Sequence, residues 1–314
     1  MSAFVMASQV ALVSGDAHPV LAEDLARVLG LPLTAAEIGQ FADGETRVRI
    51  PADVLAKTVV IVQPTSPPVN DHLVNLAFMI DAAHAAGAAR VIAVVPYFGY
   101  ARQEQRSAVG DSRSAQVACK LLGAVSLDHL ITIDLHAPAL ESALPVPATL
   151  LRADELFIPT IRGWGLQDTV IVAPDAGGLK RAQRFALELQ APLAVIAKHR
   201  PQADQMSVVQ LLGDVRGRTC VIVDDMSSTG RTLAAAAATL RGHGAAEIHA
   251  VFTHAVMAPG AFERLEEAPL SRLLTSDSVP LGRHPRIEIA RTSPLLAESL
   301  RQVIGLASAS RPTP

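Results

Sequence analysis

The sequence predicts an α/β protein of two similar halves, each a mostly parallel sheet flanked by helices. Short β-rich runs alternate with Ala- and Leu-rich stretches from end to end, the pattern of strands buried on both faces by the helices that connect them. Residues 58–98 are echoed by residues 219–254: Thr58-Val59-Val60-Ile61-Val62 answers Thr219-Cys220-Val221-Ile222-Val223, and Gly87-Ala88-Ala89-Arg90-Val91-Ile92 answers Gly244-Ala245-Ala246-Glu247-Ile248-His249. Duplication explains the echo economically, although two strand-helix-strand units also look alike without common origin. Finally, 314 residues exceed what one hydrophobic core usually organises.

The strands expected in order are 59–62, 91–95, 130–133, 170–172, 193–196, 221–223 and 248–252, each a short apolar run with β-branched residues. Pro145 and Pro147 put the junction near 145–152, giving a first domain of residues 1–148 and a second of 149–314. The tail, 307–314, is small, polar and Pro-containing, and is expected to fray.

Composition narrows the function classes. A net charge of −3 and a pI near 6.4, with basic residues scattered, give no electrostatic case for nucleic acid or an anionic membrane. Cys119 and Cys220 form neither a disulfide framework nor a metal-ligand spacing, so both read as core thiols in a reducing cytoplasm. The apolar stretch 3–13 lacks a basic region before it and a cleavage site, and no run approaches 18 apolar residues. A soluble, unexported, cytoplasmic protein is expected.

The segment from Val221 to Leu233 carries the most chemistry. A buried strand runs into Asp224 and Asp225, then into Ser227, Ser228, Thr229, Gly230, Arg231 and Thr232. The hydroxyls and unhindered N–H groups of this loop suit a phosphate at a helix N-terminus. The carboxylates can hold ribose hydroxyls or a hydrated metal ion beside it. An acidic strand end that merely caps the next helix has the same pattern.

Pro174-Asp175-Ala176-Gly177-Gly178 again puts a carboxylate at a strand end, where open α/β sheets bind ligands, though a plain strand-to-helix turn reads likewise. Asp134 and His136 follow another strand and would share a face by the period of two. Lys198 and Arg200 leave a strand on one face, suited to charge developing on transferred phosphate oxygens or simply to solvent. Residues 96–114, with Arg102 and Arg106, read as a lid able to exclude water. Phe41-Ala42-Asp43-Gly44-Glu45 offers an aromatic and two acceptors to a nucleobase, and equally a hairpin turn. No Gly-x-x-x-x-Gly-Lys-Ser/Thr sequence occurs, which excludes an ordinary P-loop enzyme.

Taken in chain order, these segments resemble the ribose-phosphate diphosphokinase, or phosphoribosyl pyrophosphate synthetase, family. The resemblance runs through 41–45, 63–75 with Pro67-Pro68-Val69-Asn70-Asp71, 97–103, 134–137, 174–178, 198–200 and 221–232, nearly the whole chain. It implies two phosphoribosyltransferase-type domains and an enzyme that moves the diphosphoryl group of ATP, with Mg²⁺, to the 1-hydroxyl of ribose 5-phosphate, releasing AMP. On this resemblance Phe41, Asp43 and Glu45 contact adenine from a neighbouring subunit, while Arg102 and Gln103 hold ATP. His136 and Asp175 position Mg²⁺ and ATP, and Lys198 and Arg200 stabilise the transition state. Asp224 and Asp225 with Ser228, Thr229, Gly230, Arg231 and Thr232 bind ribose 5-phosphate. A homo-oligomer follows, with a dimer as minimal unit and a hexamer also compatible.

The chain departs from the family pattern in places. Ser228 stands where a third acidic residue is usual, Arg231 replaces a small residue, and Glu141-Ser142-Ala143-Leu144 replaces a Gln-Gly-Phe-Phe-like run. The lid is poorer in basic residues, and the common Tyr-Leu-Phe type of C-terminus is absent. These departures bear on phosphate and ADP regulation and on assembly. They also motivate an alternative, a catalytically weak paralogue that binds and regulates an active synthetase. A phosphoribosyltransferase that consumes the diphosphorylated sugar would leave 41–45 and 198–200 unexplained.

Overall fold

The computed structural model describes residues 6–106, 108–136, 138–199, 208–282 and 284–306. The chain forms two compact units, one of residues up to Leu151 with Ser278–Pro280 and the stretch from Thr292, the other of Arg152–Asp277 and Leu281–Arg291.

In chain order the first unit contains β1 (Val10–Ser14), α1 (Pro19–Leu29), β2 (Leu33–Ala35), β3 (Glu37–Gln40), β4 (Thr46–Arg49), β5 (Thr58–Val62), α2 (Val69–Ala85), β6 (Arg90–Val94), α3 (Ser114–Ala124), β7 (His129–Ile133) and β8 (Ala148–Leu151). Its sheet runs β2-β1-β5-β6-β7-β8, every pair parallel, and β3 and β4 form a separate antiparallel hairpin. The second unit contains α4 (Asp154–Gly163), β9 (Thr169–Ala173), α5 (Leu179–Leu189), β10 (Leu193–His199), β11 (Val208–Leu212), β12 (Thr219–Ser227), α6 (Arg231–Gly242), β13 (Glu247–Ala255), α7 (Ala261–Glu267), β14 (Arg272–Ser276) and β15 (Ile287–Ala290). The order there is β11-β10-β9-β12-β13-β14-β15, parallel except for β11 at the edge.

Apart from β11, the two orders are the same, so the echo between 58–98 and 219–254 is a repeat of topology: β5 and β6 answer β12 and β13. All seven expected strands are present. Their centres are apolar throughout because both faces are covered: Val59, Val60, Ile61 and Val62 are buried in one unit, and Val221, Ile222 and Val223 in the other. Around them pack Leu76, Met79, Ile80 and Leu122 in the first unit, and Leu233, Ala237 and Leu240 in the second. β12 is longer than the expected 221–223. Pairing with β13 continues through Asp224↔Phe252 to Ser227↔Ala255, so both carboxylates lie inside the strand.

The last helix, α8 (Ser293–Ile304), groups with the first unit, whereas the sequence reading assigned all of 149–314 to the second domain. Arg301 Nη2 donates to the Val28 carbonyl at 2.8 Å and Arg90 Nη1 to the Val303 carbonyl at 3.0 Å. These carbonyl bonds tie α8 to α1 and β6 across more than 200 residues of chain, which no local pattern announces.

In each unit the chain passes from its first strand to a neighbour on one side, then crosses to the other side. The crossing leaves a crevice at the C-terminal ends of β1 and β5 in one unit and of β9 and β12 in the other, the positions where open parallel sheets bind ligands.

Candidate functional site

β9 and β12 are neighbours in register, Thr169↔Thr219 to Val172↔Ile222, so Asp175 and the pair Asp224-Asp225 leave adjacent strands at the crevice of the second unit. Asp175 is half-buried, and its Oδ1 accepts from the Gly178 N–H at 3.0 Å. That bond shapes the Ala176-Gly177-Gly178 turn into α5. Asp225 is buried, and its N–H donates to Asp224 Oδ1 at 2.9 Å.

After the carboxylates, Ser228, Thr229 and Gly230 form the turn into α6, which opens at Arg231 and Thr232. Gly230 has φ +72°, a left-handed conformation that an L side chain resists. The two carbonyls before it are tied to α7 and the loop that leads into it: Ala258 N–H donates to Ser228 O at 2.8 Å, and the Arg264 guanidinium of α7 donates to Thr229 O. The free N–H groups of the first turn of α6 therefore point into a fixed, small-residue loop.

Two adjacent carboxylates out of water repel each other. Burial first, and then the neighbouring Asp225, push the Asp224 carboxyl up to about 8. The opposing charge is Arg181, from the first turn of α5, with Nη1 3.7 Å from Asp224 and Nη2 3.6 Å from Asp225. Sequence reading gave Arg181 no role, because only tertiary packing brings it to the pair.

In the first unit, Arg102 and Gln103 line a cavity of about 470 Å³ together with Pro68, Val69, Asn70, Asp71, Tyr97 and Tyr100. Tyr100 shapes it with a positive φ of 66°, its hydroxyl bonded to Asn70 and its carbonyl accepting from the Gln103 N–H. Phe41, Asp43 and Glu45 form the tip of the β3–β4 hairpin. Phe41 N–H donates to Glu45 O at 2.8 Å, and Glu45 N–H to Asp43 Oδ1 at 3.1 Å. Phe41 is 52% exposed, an aromatic held out from its own unit.

Asp134 and His136 do not follow the period of two. β7 ends at Ile133, and Asp134 takes φ +40° with its N–H bonded to Leu151 O, so the alternation stops before either residue. Lys198 lies in β10 opposite Val209 of β11, and Arg200 lies outside the described residues.

Among the described residues no three His, Cys, Asp or Glu side chains converge to hold a metal. An ion such as Mg²⁺ keeps most of its water and binds through one or two carboxylates plus ligand phosphates. Asp175 is a carboxylate of this kind. The His136 imidazole, exposed after β7, is a weaker first choice for a hard cation.

The equivalent crevice of the first unit is closed. Asp16, after β1, accepts from Gln63 Nε2 at 2.8 Å and Asn75 Nδ2 at 2.9 Å, while Gln63 Oε1 accepts from the Ala17 N–H at 3.0 Å. Gln63 is fully buried, and a Cβ on Gly15 would fall 2.1 Å from its Oε1. The Gln63 side chain, just past the end of β5, fills the space that the second unit leaves to its carboxylates and loop.

Residues 10–125 match the N-terminal domain of ribose phosphate pyrophosphokinase, and residues 141–270 match the phosphoribosyl transferase domain. The chain is 40% identical over 304 residues to the ribose-phosphate pyrophosphokinase of Marinomonas sp. (strain MWYL1), covering 94% of this chain and 96% of that protein. It is 38% identical over 296 residues to that of Caldanaerobacter subterraneus subsp. tengcongensis, covering 93% and 94%. Phosphoribosylpyrophosphate synthetase from Mycobacterium smegmatis superposes with a TM-score of 0.88 at 32% identity, covering 95% of this chain and 99% of that one.

Proposed function

Since the chain belongs to the ribose-phosphate pyrophosphokinase family, we propose that it transfers the diphosphoryl group of MgATP to the 1-hydroxyl of ribose 5-phosphate, giving phosphoribosyl pyrophosphate and AMP. The observation that carries this reading is the Asp224-Asp225 pair running into the Gly230 turn at the open crevice of the second unit. Paired carboxylates accept vicinal sugar hydroxyls, and the helix N-terminus that follows, at Arg231, accepts a phosphate.

In this reading Ser228, Thr229, Gly230, Arg231 and Thr232 hold the 5-phosphate, and Asp224 and Asp225 hold the ribose ring. Arg102 and Gln103 hold the nucleotide's phosphates, and Phe41, Asp43 and Glu45 hold its adenine in a neighbouring subunit. The exposed hairpin tip supports that last assignment, and with it a homo-oligomer, at least a dimer, is part of the proposal. The sugar's anomeric oxygen bonds to the β-phosphorus, the bond from that phosphorus to the α-phosphate oxygen breaks, and AMP leaves. Lys198 and Arg200 neutralise charge on the transferring oxygens, so positioning and electrostatics supply most of the acceleration. Asp175 and His136 are the residues that would hold Mg²⁺, which would supply charge neutralisation when bound. No enzyme-bound covalent intermediate is needed. Substrates of this polarity, and a chain whose described helices are all too short or too polar to cross a membrane, suit a cytoplasmic enzyme.

Phosphorus NMR of the protein with Mg²⁺, ATP and ribose 5-phosphate tests the reading. AMP and a diphosphate-bearing sugar are expected, and Lys198→Ala should slow their appearance at least a hundredfold while leaving the circular dichroism spectrum unchanged. ADP would mean that a single phosphoryl group moves. Absence of turnover with any divalent metal would favour the alternative, a weak paralogue that regulates an active synthetase.

A further inference from the structure

The contact geometry around Arg181 differs from that of two other half-buried arginines in its unit, Arg184 and Arg218. Arg184 Nε lies 2.8 Å from Asp154, and Arg218 reaches Asp168 with two nitrogens at 2.8 and 2.6 Å. These are closed, charge-assisted hydrogen bonds of structural pairs. Arg181 is more enclosed than either, its side chain 15% exposed against 33% and 24%. Yet each of its terminal nitrogens stops 3.6 to 3.7 Å from a different carboxylate, beyond hydrogen-bond length, and its buried Nε has no partner among the described residues. The charge of the acidic pair is matched while the guanidinium's own hydrogen-bonding capacity is left open.

An arginine that served only stability would close on one carboxylate, because a buried guanidinium without its hydrogen bonds is costly. A fork astride two carboxylates, short of both, makes sense when a third, hydroxyl-bearing partner completes the network. Asp224 is already oriented by the Asp225 N–H on its Oδ1. Facing it are Asp225 from its own strand and Arg181 from α5.

We propose that Arg181 is a positioning residue of the ribose 5-phosphate site, holding Asp224 and Asp225 apart as two acceptors for the sugar's hydroxyls. The proposal rests on the reading of the β12 loop given above. Arg181 acts through the carboxylates and touches no reacting atom. Because Asp224 titrates near 8, pushed up by burial and by Asp225 and held down by Arg181, removing the guanidinium shifts that titration further upward.

Calorimetric titration with ribose 5-phosphate from pH 6 to 9, without nucleotide, tests the role in wild type, Arg181→Met and Arg181→Lys. Wild-type affinity is expected to rise with pH up to a plateau near Asp224's midpoint. In Arg181→Met that midpoint should move up by about one pH unit or more, leaving affinity about tenfold weaker at pH 7 and partly restored at pH 9. Arg181→Lys, a point charge without the fork, should move it less. Equal weakening at every pH, or a wild-type midpoint in both variants, would overturn the proposal. Should Arg181→Met fail to fold, an unshifted midpoint in Arg181→Lys decides against it alone. A wild-type protein that takes up no ribose 5-phosphate would instead overturn the reading of the loop, and the role with it.

Discussion

Replacing Gly230 by alanine isolates what the phosphate loop demands of its backbone. With φ +72°, the position costs an L-residue about 1–2 kcal/mol on conformational grounds. A Cβ there would also stand 3.0 Å from the Ala261 carbonyl oxygen and 3.2 Å from Leu265 Cγ, the former being backbone that cannot swing away. Relief requires moving the loop or α7 by a few tenths of an ångström, which adds about 1 kcal/mol. Gly165 provides the control in the same unit, with φ +63° and nothing within 4 Å of its Cβ. Urea unfolding should therefore show Gly165→Ala losing about 1–2 kcal/mol and Gly230→Ala about 1 kcal/mol more. Because the moved atoms are those of the loop, calorimetry should show ribose 5-phosphate affinity falling about tenfold in Gly230→Ala, and not at all in Gly165→Ala. Equal stabilities and wild-type affinity in both variants would refute the argument that close approach to α7 fixes the loop.

Two further substitutions follow from buried charge. Asp224→Asn keeps the shape of the side chain and removes a carboxyl that resists ionising up to about pH 8. A raised carboxyl pKa means that native-state stability falls as pH climbs from about 4 towards 8. Asp224→Asn should thus melt no lower than wild type at pH 7.5 while ribose 5-phosphate affinity drops at least tenfold; unchanged affinity would remove the centre of the site. His249 is fully buried beside Trp164, with no hydrogen bond to either ring nitrogen among the described residues. Burial lowers its pKa, so it is neutral in the fold, and stability is present in full above about pH 6.5 and lost as pH falls below that value. The loss should reach up to about 1.4 kcal/mol per pH unit and be largely absent in His249→Gln, as read from urea midpoints at pH 7 and 5. Parallel pH curves would place the acid sensitivity elsewhere.

Most of the central strands were legible because burial on both faces leaves a continuous apolar run with no competing period. Sequence reading nevertheless passed over β1 and β14, interior strands of the same buried kind. The other omissions are of another kind. β3 and β4 read Glu-Ile-Gly-Gln and Thr-Arg-Val-Arg, too short and too charged to stand out, and β2, β8 and β15 are three- or four-residue elements that close sheet edges or follow loops. The carboxylate pair and the Gly230 turn announced themselves through side-chain type alone. Arg181 did not, since its meaning lies in a fork of about 3.6 Å contacts across two strands' ends, and α8 did not, since its partners are more than two hundred residues away. The shared face of Asp134 and His136 failed for a smaller reason: one left-handed residue, Asp134, ends the alternation that it assumed.

The stitched crevice of the first unit bears on valency. The two sheets share one topology, and in the first unit's crevice Gln63, Asp16 and Asn75 have bound one another in place of a guest. With the sugar phosphate assigned to the β12 loop as proposed above, the chain is monovalent for it, and its first repeat is free to serve as a platform. Any steepness in its response to that substrate has to come from communication among separate copies of the chain, because the two repeats within a copy have no second guest to share.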